Sequence, residues 1–194
     1  MAAKNGAGSV KNHLVYRATL VNVAFIAVAI ALAVEGHVTW LFQNDASYIS
    51  YAITALFVVG WGWSAKEILV ASSDLNHSDA NGPRPAALAD ADKDLGKIAW
   101  LSDISEYLVQ LGFLGTLVGF VIALSGIDQD TVTTADGAQN AVAALMSGMS
   151  TAIGTTIIGA SLALWHGCNM RLLQTALNTY WCDRIRSPEE TRRD

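Results

Sequence analysis

This chain of 194 residues is short of charge, proline and cysteine, and each shortage excludes something. Charged residues make up 15% of it, against about 25% in a typical soluble domain. The prolines, Pro83, Pro85 and Pro188, stand between or after the apolar stretches, where they read as stops. The cysteines, Cys168 and Cys182, would lie about 21 Å apart on a continuous helix. That is too far for a disulfide, so both read as inert packing residues. No Ser/His/Asp order, metal-spaced Cys/His set or phosphate loop is present. The expectation is a protein that is not an enzyme and holds no metal or cofactor. A net charge of −5 gives no reason to expect nucleic-acid binding. The most consequential absence is inside the apolar stretches. No Asp, Glu, Lys, Arg or His lies deep in any of them.

What is present is apolar. Hydrophobic residues reach 52%, and the mean hydropathy is +0.34. Four stretches are long enough to cross a bilayer, at about 14–34, 48–71, 107–127 and 141–165. Too little chain remains between them for a separate soluble domain. Lys4, Lys11 and Arg17 precede the first stretch, while Glu35–Ser47 has no Lys or Arg. Arg84, Lys93 and Lys97 come after the second, and Asp128–Asn140 has acids without a base. Arg171, Arg184, Arg186, Arg192 and Arg193 fill the tail. Basic segments therefore alternate, which predicts a multi-pass protein with both termini in the cytoplasm. A competing reading makes the first stretch a signal peptide cleaved after Ala31-Leu32-Ala33. The length of the apolar run favours a span.

The chain divides accordingly. Residues 1–71 hold two peripheral spans, and 72–106 a short loop and a helix starting near Ala86. Residues 107–165 hold the other two spans, and 166–194 an amphipathic helix and tail closed by Pro188. No stop signal separates the helix before Tyr107 from the third span, or Trp165 from the amphipathic helix after it. The last two helices are therefore expected to protrude into the cytoplasm. His166 and Trp165 mark the expected inner boundary.

Those last two spans carry small and hydroxyl residues where lipid would favour bulk. On a helical wheel Ser105, Gly112, Gly115, Thr116, Gly119, Ala123 and Gly126 share one face of the third span. On the fourth, Asn140, Ala144, Ser147, Thr151 and Thr155 share a face. Two accounts fit. Glycines at small-xxx-small spacing serve close helix packing, and hydroxyls can bond back to carbonyls one turn earlier. Alternatively, the hydroxyls line a polar path. Thr116 and Thr151, each near mid-span, could then together hydrogen-bond a water or a carboxyl group. Neither can carry protons as an acid, so an ion path through this chain needs a titratable group from elsewhere.

Leu111–Leu124, with Leu111-Gly112-Phe113-Leu114-Gly115-Thr116-Leu117-Val118-Gly119, resembles a motif helix of the MotA/TolQ/ExbB proton-channel family. Ser150-Thr151-Ala152-Ile153-Gly154 resembles that family's second motif, in the right order. The two preceding spans resemble MotA's four-span layout rather than the three-span layout of TolQ and ExbB.

The resemblance implies an all-α integral membrane protein of the bacterial inner membrane, forming a homopentameric ring. The ring encloses a dimer of a single-span MotB/TolR/ExbD-like partner whose helix carries an Asp. Ion flow through that Asp turns the inner dimer. Thr116 and Thr151 match the positions that face the partner. Ser147, Ser150 and Thr155 extend the path, and Ser150, Thr155 and Thr156 could supply the hydroxyls of sodium-type relatives. Gly112, Gly115 and Gly119 would permit close helix packing and the smooth passage of a turning helix. Some positions depart from the pattern. Met146 stands where ExbB-like members carry Glu, and Ala160 where the family often has Pro. MotA's large cytoplasmic domain is cut to about thirty residues here. A Tol- or Exb-like output is therefore expected over a flagellar one, on protons or else sodium. The competing reading is a non-conducting membrane scaffold whose glycines only pack helices.

Overall fold

A computed structural model describes residues 6–78, 87–127 and 133–190, with side chains for 15–70, 96–127 and 133–178. All its regular structure is helical: α1 (Gly6–Val34), α2 (His37–Gln43), α3 (Ile49–Ser78), α4 (Ala87–Ser125) and α5 (Ala135–Glu190). Four of these, all but α2, contain stretches long and apolar enough to cross a membrane. The 39 residues of α4 and the 56 of α5 correspond to roughly 58 and 84 Å of helix. Both exceed the ~30 Å hydrocarbon core of a bilayer, so each must project beyond it. Pro188 does not end α5, which continues to Glu190.

The segment between the first two apolar stretches, Glu35–Ser47, contains the seven-residue helix α2. Gly36 turns the chain into it with a φ of 80°, a left-handed conformation that favours glycine. Leu41 of α2 then sits over Gly154 of α5. A strap, Asn44–Ser47, leads into α3. Asp45, only 5% exposed, accepts hydrogen bonds from the Ser47 amide and hydroxyl at 2.9 and 2.6 Å, and from the Ser50 amide at 2.8 Å. It thereby satisfies a donor that the first turn of α3 would leave orphaned. Burial pushes the Asp45 carboxyl up, but the bonds from Ser47 and Ser50 outweigh it and hold it below its ordinary value of 3.8.

Helices α4 and α5 form an antiparallel hairpin, and glycines set its spacing. A side chain on Gly119 would start 2.6 Å from the Ala152 amide nitrogen, and one on Gly159 would start 2.8 Å from the Leu108 carbonyl oxygen. Real Cβ atoms do not approach backbone so closely, so the two helices lie backbone to backbone. Helix α3 runs parallel to α5 and packs across the half of the hairpin that holds the start of α4. There Ile53 and Phe57 meet Ile98, Leu101, Ile104, Leu108, Met170 and Leu173 in one core.

The stagger of α3 sets where its strap reaches the hairpin. Its strap meets α5 at Thr151, which lies 16 residues beyond Ala135, roughly 24 Å along the helix. Outward of that level Phe120, Val121, Leu124, Val142, Met146 and Met149 are exposed along the hairpin.

Helix α1 is attached through one polar knot. The Asn22 side-chain oxygen accepts from the Trp61 indole at 2.9 Å, the Trp165 indole at 2.8 Å and the Asn169 side-chain amide at 3.2 Å. Its amide donates to the Asn169 side-chain oxygen at 2.7 Å and to the Ala18 carbonyl at 2.8 Å. Phe25 stacks on Trp165 beside it, with ring centres 5.5 Å apart. The rest of α1 presents Leu20, Val23, Val28 and Ile30 outward.

Candidate functional site

Midway along the hairpin α4 and α5 bring two hydroxyls together. Thr116 and Thr156 touch through their side-chain oxygens. Thr116 also reaches the Gly112 carbonyl and the Ala152 carbonyl, each at 3.2 Å. Thr156 reaches the same two carbonyls at 3.5 and 3.0 Å. Thr116 is half-buried and Thr156 exposed. Glycine contacts on either side hold this geometry. Gly119 meets Gly148 and Ala152 outward of it, and Gly112 meets Gly159 inward.

The other expected hydroxyls divide. Thr151 is 1% exposed. Its hydroxyl donates to the Asn44 carbonyl at 3.0 Å and accepts from the Ala46 amide at 3.3 Å, so it is tied to the strap of its own chain. Thr155 is fully buried and bonds back to the Thr151 and Ala152 carbonyls at 3.0 and 3.1 Å. Ser147 is exposed. The Ser150 hydroxyl oxygen is buried without a partner. Mid-span contact therefore joins Thr116 to Thr156, where the wheel suggested Thr151. Thr156 falls on the adjoining face of α5, which a polar stripe through Ser147, Thr151 and Thr155 passes by.

The glycine ribbon packs against a neighbouring helix, as the small-xxx-small reading expects, and that helix is α5. Gly112, Gly115 and Gly119 face α5 of the same chain, Gly115 so closely that a Cβ would start 2.5 Å from Thr155. Their space is already filled, so they do not offer a smooth wall to a turning helix. The exposed side of α4 is instead bulky, with Phe113, Leu117, Phe120 and Val121.

His166 and Trp165 also differ from the boundary role expected of them. His166 is fully buried where α3 and α4 both run past it, and its Nε2 lies 3.0 Å from the Leu101 carbonyl. Trp165 is held by Asn22. Trp63 packs edge-on against Trp100, ring centres 5.3 Å apart. Cys168 is a free thiol. The Cys182 side chain, Asp128 and Asp130 lie outside the described residues, while Asp136 occupies the first turn of α5, where a negative charge suits the helix terminus. Among the described residues no group of His, Cys, Asp or Glu could hold a metal.

These features define a polytopic helical membrane protein with paired hydroxyls at mid-hairpin and no ionisable side chain between Tyr107 and Gly126 or between Ala141 and Trp165. Through residues 85–180 the chain belongs to the MotA/TolQ/ExbB proton channel family. The matched segment covers most of α4 and α5 and leaves out α1 to α3. No curated protein and no solved structure matches the chain.

Proposed function

We propose that this chain is the ring-forming, ion-conducting subunit of a rotary motor in a bacterial inner membrane. A pentamer of it surrounds a dimer of a single-span partner, and an Asp in the partner's helix takes up and releases the ion. The termini lie in the cytoplasm, as do the inner ends of α4 and α5. The observation that carries this reading is a hydroxyl pair at mid-hairpin in a chain that supplies no acid of its own there. Hydroxyls can hydrogen-bond a passing proton carrier or cation, but a site that loads and discharges needs a titratable group. A partner carboxylate provides it.

The short connection between α3 and α4, Ser78 to Ala87, leaves no room for a large domain that would grip a flagellar switch. Output through the partner's periplasmic part, as in Tol or Exb systems, fits better. The driving ion in this reading is the proton, with sodium as the alternative. A second reading, a non-conducting scaffold, is favoured by the glycines of α4, which are consumed in packing against α5.

The test is to purify the tagged chain from its native membrane, identify what accompanies it, and reconstitute the complex into liposomes. Proton uptake is monitored with a pH-sensitive dye under an imposed potential. A 5:2 complex with a single-span, Asp-bearing partner and potential-driven uptake is expected. A stable, fully assembled complex that passes neither protons nor sodium leaves the scaffold reading standing.

A further inference from the structure

We infer that His166 makes the seat of α3 sensitive to acid: a proton added to its ring drives α3 off the α4–α5 hairpin, and α1 follows. The inference concerns how the peripheral helices dock and needs no conducting role.

His166 is fully buried on α5, and its Nε2 stands 3.0 Å from the Leu101 carbonyl of α4. A carbonyl only accepts, so that nitrogen carries the hydrogen. Nδ1 then keeps its lone pair. It is buried with no hydrogen-bond partner among the described residues. A second proton must go to Nδ1. That creates a charged N–H donor with no acceptor, in a site closed to water.

No charged side chain is placed to offset it. On α3 the ring meets Gly60, where a Cβ would start 3.4 Å from the His166 Cε1 and 2.9 Å from the Ile104 Cγ2. On α4 its neighbours are Leu101 and Ile104. Lys66 of α3, Lys97, Asp103 and Glu106 of α4, Arg171 of α5 and Arg17 of α1 are all exposed. Glu67 of α3 and Cys168 of α5 are half-buried. With Nε2 on a carbonyl and Nδ1 unpartnered, none of them bonds the ring.

Helix α3 is the element that yields. Helices α4 and α5 touch backbone to backbone at Gly112–Gly159 and Gly119–Gly148. Helix α3 instead rests on the ring through Gly60, and it must lift before Nδ1 can gain water or an acceptor. Trp61 follows Gly60 and Trp165 precedes His166, and both indoles donate to Asn22 of α1. Lifting α3 draws Trp61 away from Asn22, so the response reaches α1. The lifted state has a place for the proton and the seated state has none, so acid favours lifting. Below the ordinary imidazole value of about 6.5, each pH unit shifts the seated-to-lifted ratio by up to about tenfold.

The experiment places the full chain, with any co-purified partner, in nanodiscs and lowers the pH from about 8 to about 5. Cys168→Ser and Cys182→Ser clear the native thiols. Spin labels at exposed Val59 and Val109 read α3 against α4, and labels at exposed Val109 and Ile157 read α4 against α5. Labelled chain is diluted with unlabelled chain, so that distances are read within one copy. The Val59–Val109 separation is expected to lengthen reversibly once the pH falls below about 6.5, while Val109–Ile157 stays constant. His166→Gln keeps a side-chain N–H for the Leu101 carbonyl and takes no proton, so its α3 should stay seated throughout. A constant wild-type separation overturns the inference. So does a His166→Gln chain that responds like wild type, or a lengthening of both pairs together. Should His166→Gln not fold, His13→Gln, His37→Gln and His77→Gln leave ring 166 as the lone imidazole, read by its nitrogen resonances. A neutral ring while α3 is seated, charged only as α3 lifts, is expected. A charged ring under a seated α3 overturns the inference.

Discussion

Gly119 and Gly62 are both helical glycines, yet they differ completely in surroundings. At Gly119 a Cβ would meet the Ala152 amide and the Gly148 carbonyl of α5, whereas at Gly62 nothing lies within 4 Å. Gly119→Ala must push two backbones apart. We expect it to cost several times the ~1 kcal/mol by which alanine normally favours a helix interior over glycine. Gly62→Ala should be neutral or stabilising by up to about 1 kcal/mol. Thermal unfolding of both variants in detergent, monitored by tryptophan fluorescence, checks the pair; equal midpoints would contradict backbone-to-backbone packing of α4 on α5. A wheel diagram places both on helices, but only the neighbouring backbone tells them apart.

Asp45 supplies a prediction in pH. Its carboxyl is held below its ordinary value in the folded chain. The stability it contributes is therefore fully present above 3.8 and is lost as pH falls through its lowered folded value. Asp45→Ala should cost about 1 kcal/mol near neutral pH, as lost caps do. The gap between variant and wild type should begin to close only once the pH falls below 3.8. A gap that stays constant over that range would mean the carboxylate charge contributes nothing. Asp45 is not legible as a cap in the sequence, because Glu35–Ser47 reads as a connection without Lys or Arg until α2 and the strap fold down on α5.

At the scale of elements, the continuity of α4 and α5 is readable. Neither apolar stretch carries a proline or a stop where it leaves the membrane, and amphipathic spacing continues beyond each. Helix α2 is not. Seven residues form too few internal hydrogen bonds to announce a helix, and its placement depends on Gly36 and on the seat of Leu41 over Gly154. Helix α1 shows the same limit. Beyond Thr19 its membrane stretch is apolar apart from Asn22, whose partners are 39, 143 and 147 residues away. Asn22→Leu leaves the Trp61 and Trp165 indoles without their acceptor, at about 1–3 kcal/mol for a buried donor left unpaired. We expect a lower unfolding midpoint and altered tryptophan emission. Leu20→Ala, on the outward side of the same helix where Leu20 is 54% exposed, should leave both nearly unchanged. If the two variants behaved alike, the knot would not be what holds α1.

The whole molecule raises the question of orientation. Helices α1 and α4 run one way and α3 and α5 the other, so the start of α1 and the end of α5 share a side. In the proposed topology that side is the cytoplasm, the side the alternating basic loops favour. Asp128→Cys should then react with an impermeant thiol reagent in intact cells, and Arg192→Cys only after the membrane is opened. The reverse pattern would invert the topology and with it the direction of ion flow. The exposed bulk of Phe113, Leu117, Phe120 and Val121 must meet lipid or neighbouring chains, since nothing among the described residues covers it.

Composition and spacing alone determined that this is a four-span helical membrane protein, with family motifs in its last two spans and no acid in either. Those properties are local: hydropathy, the helical repeat and charge between spans need no knowledge of which helix touches which. Which hydroxyls face one another was decided by tertiary structure. The stagger of α3 brings the strap onto Thr151, and the glycine contacts set the register that joins Thr116 to Thr156. A wheel ranks the residues of one helix by angle, but the offset between two helices arises from where their backbones can touch.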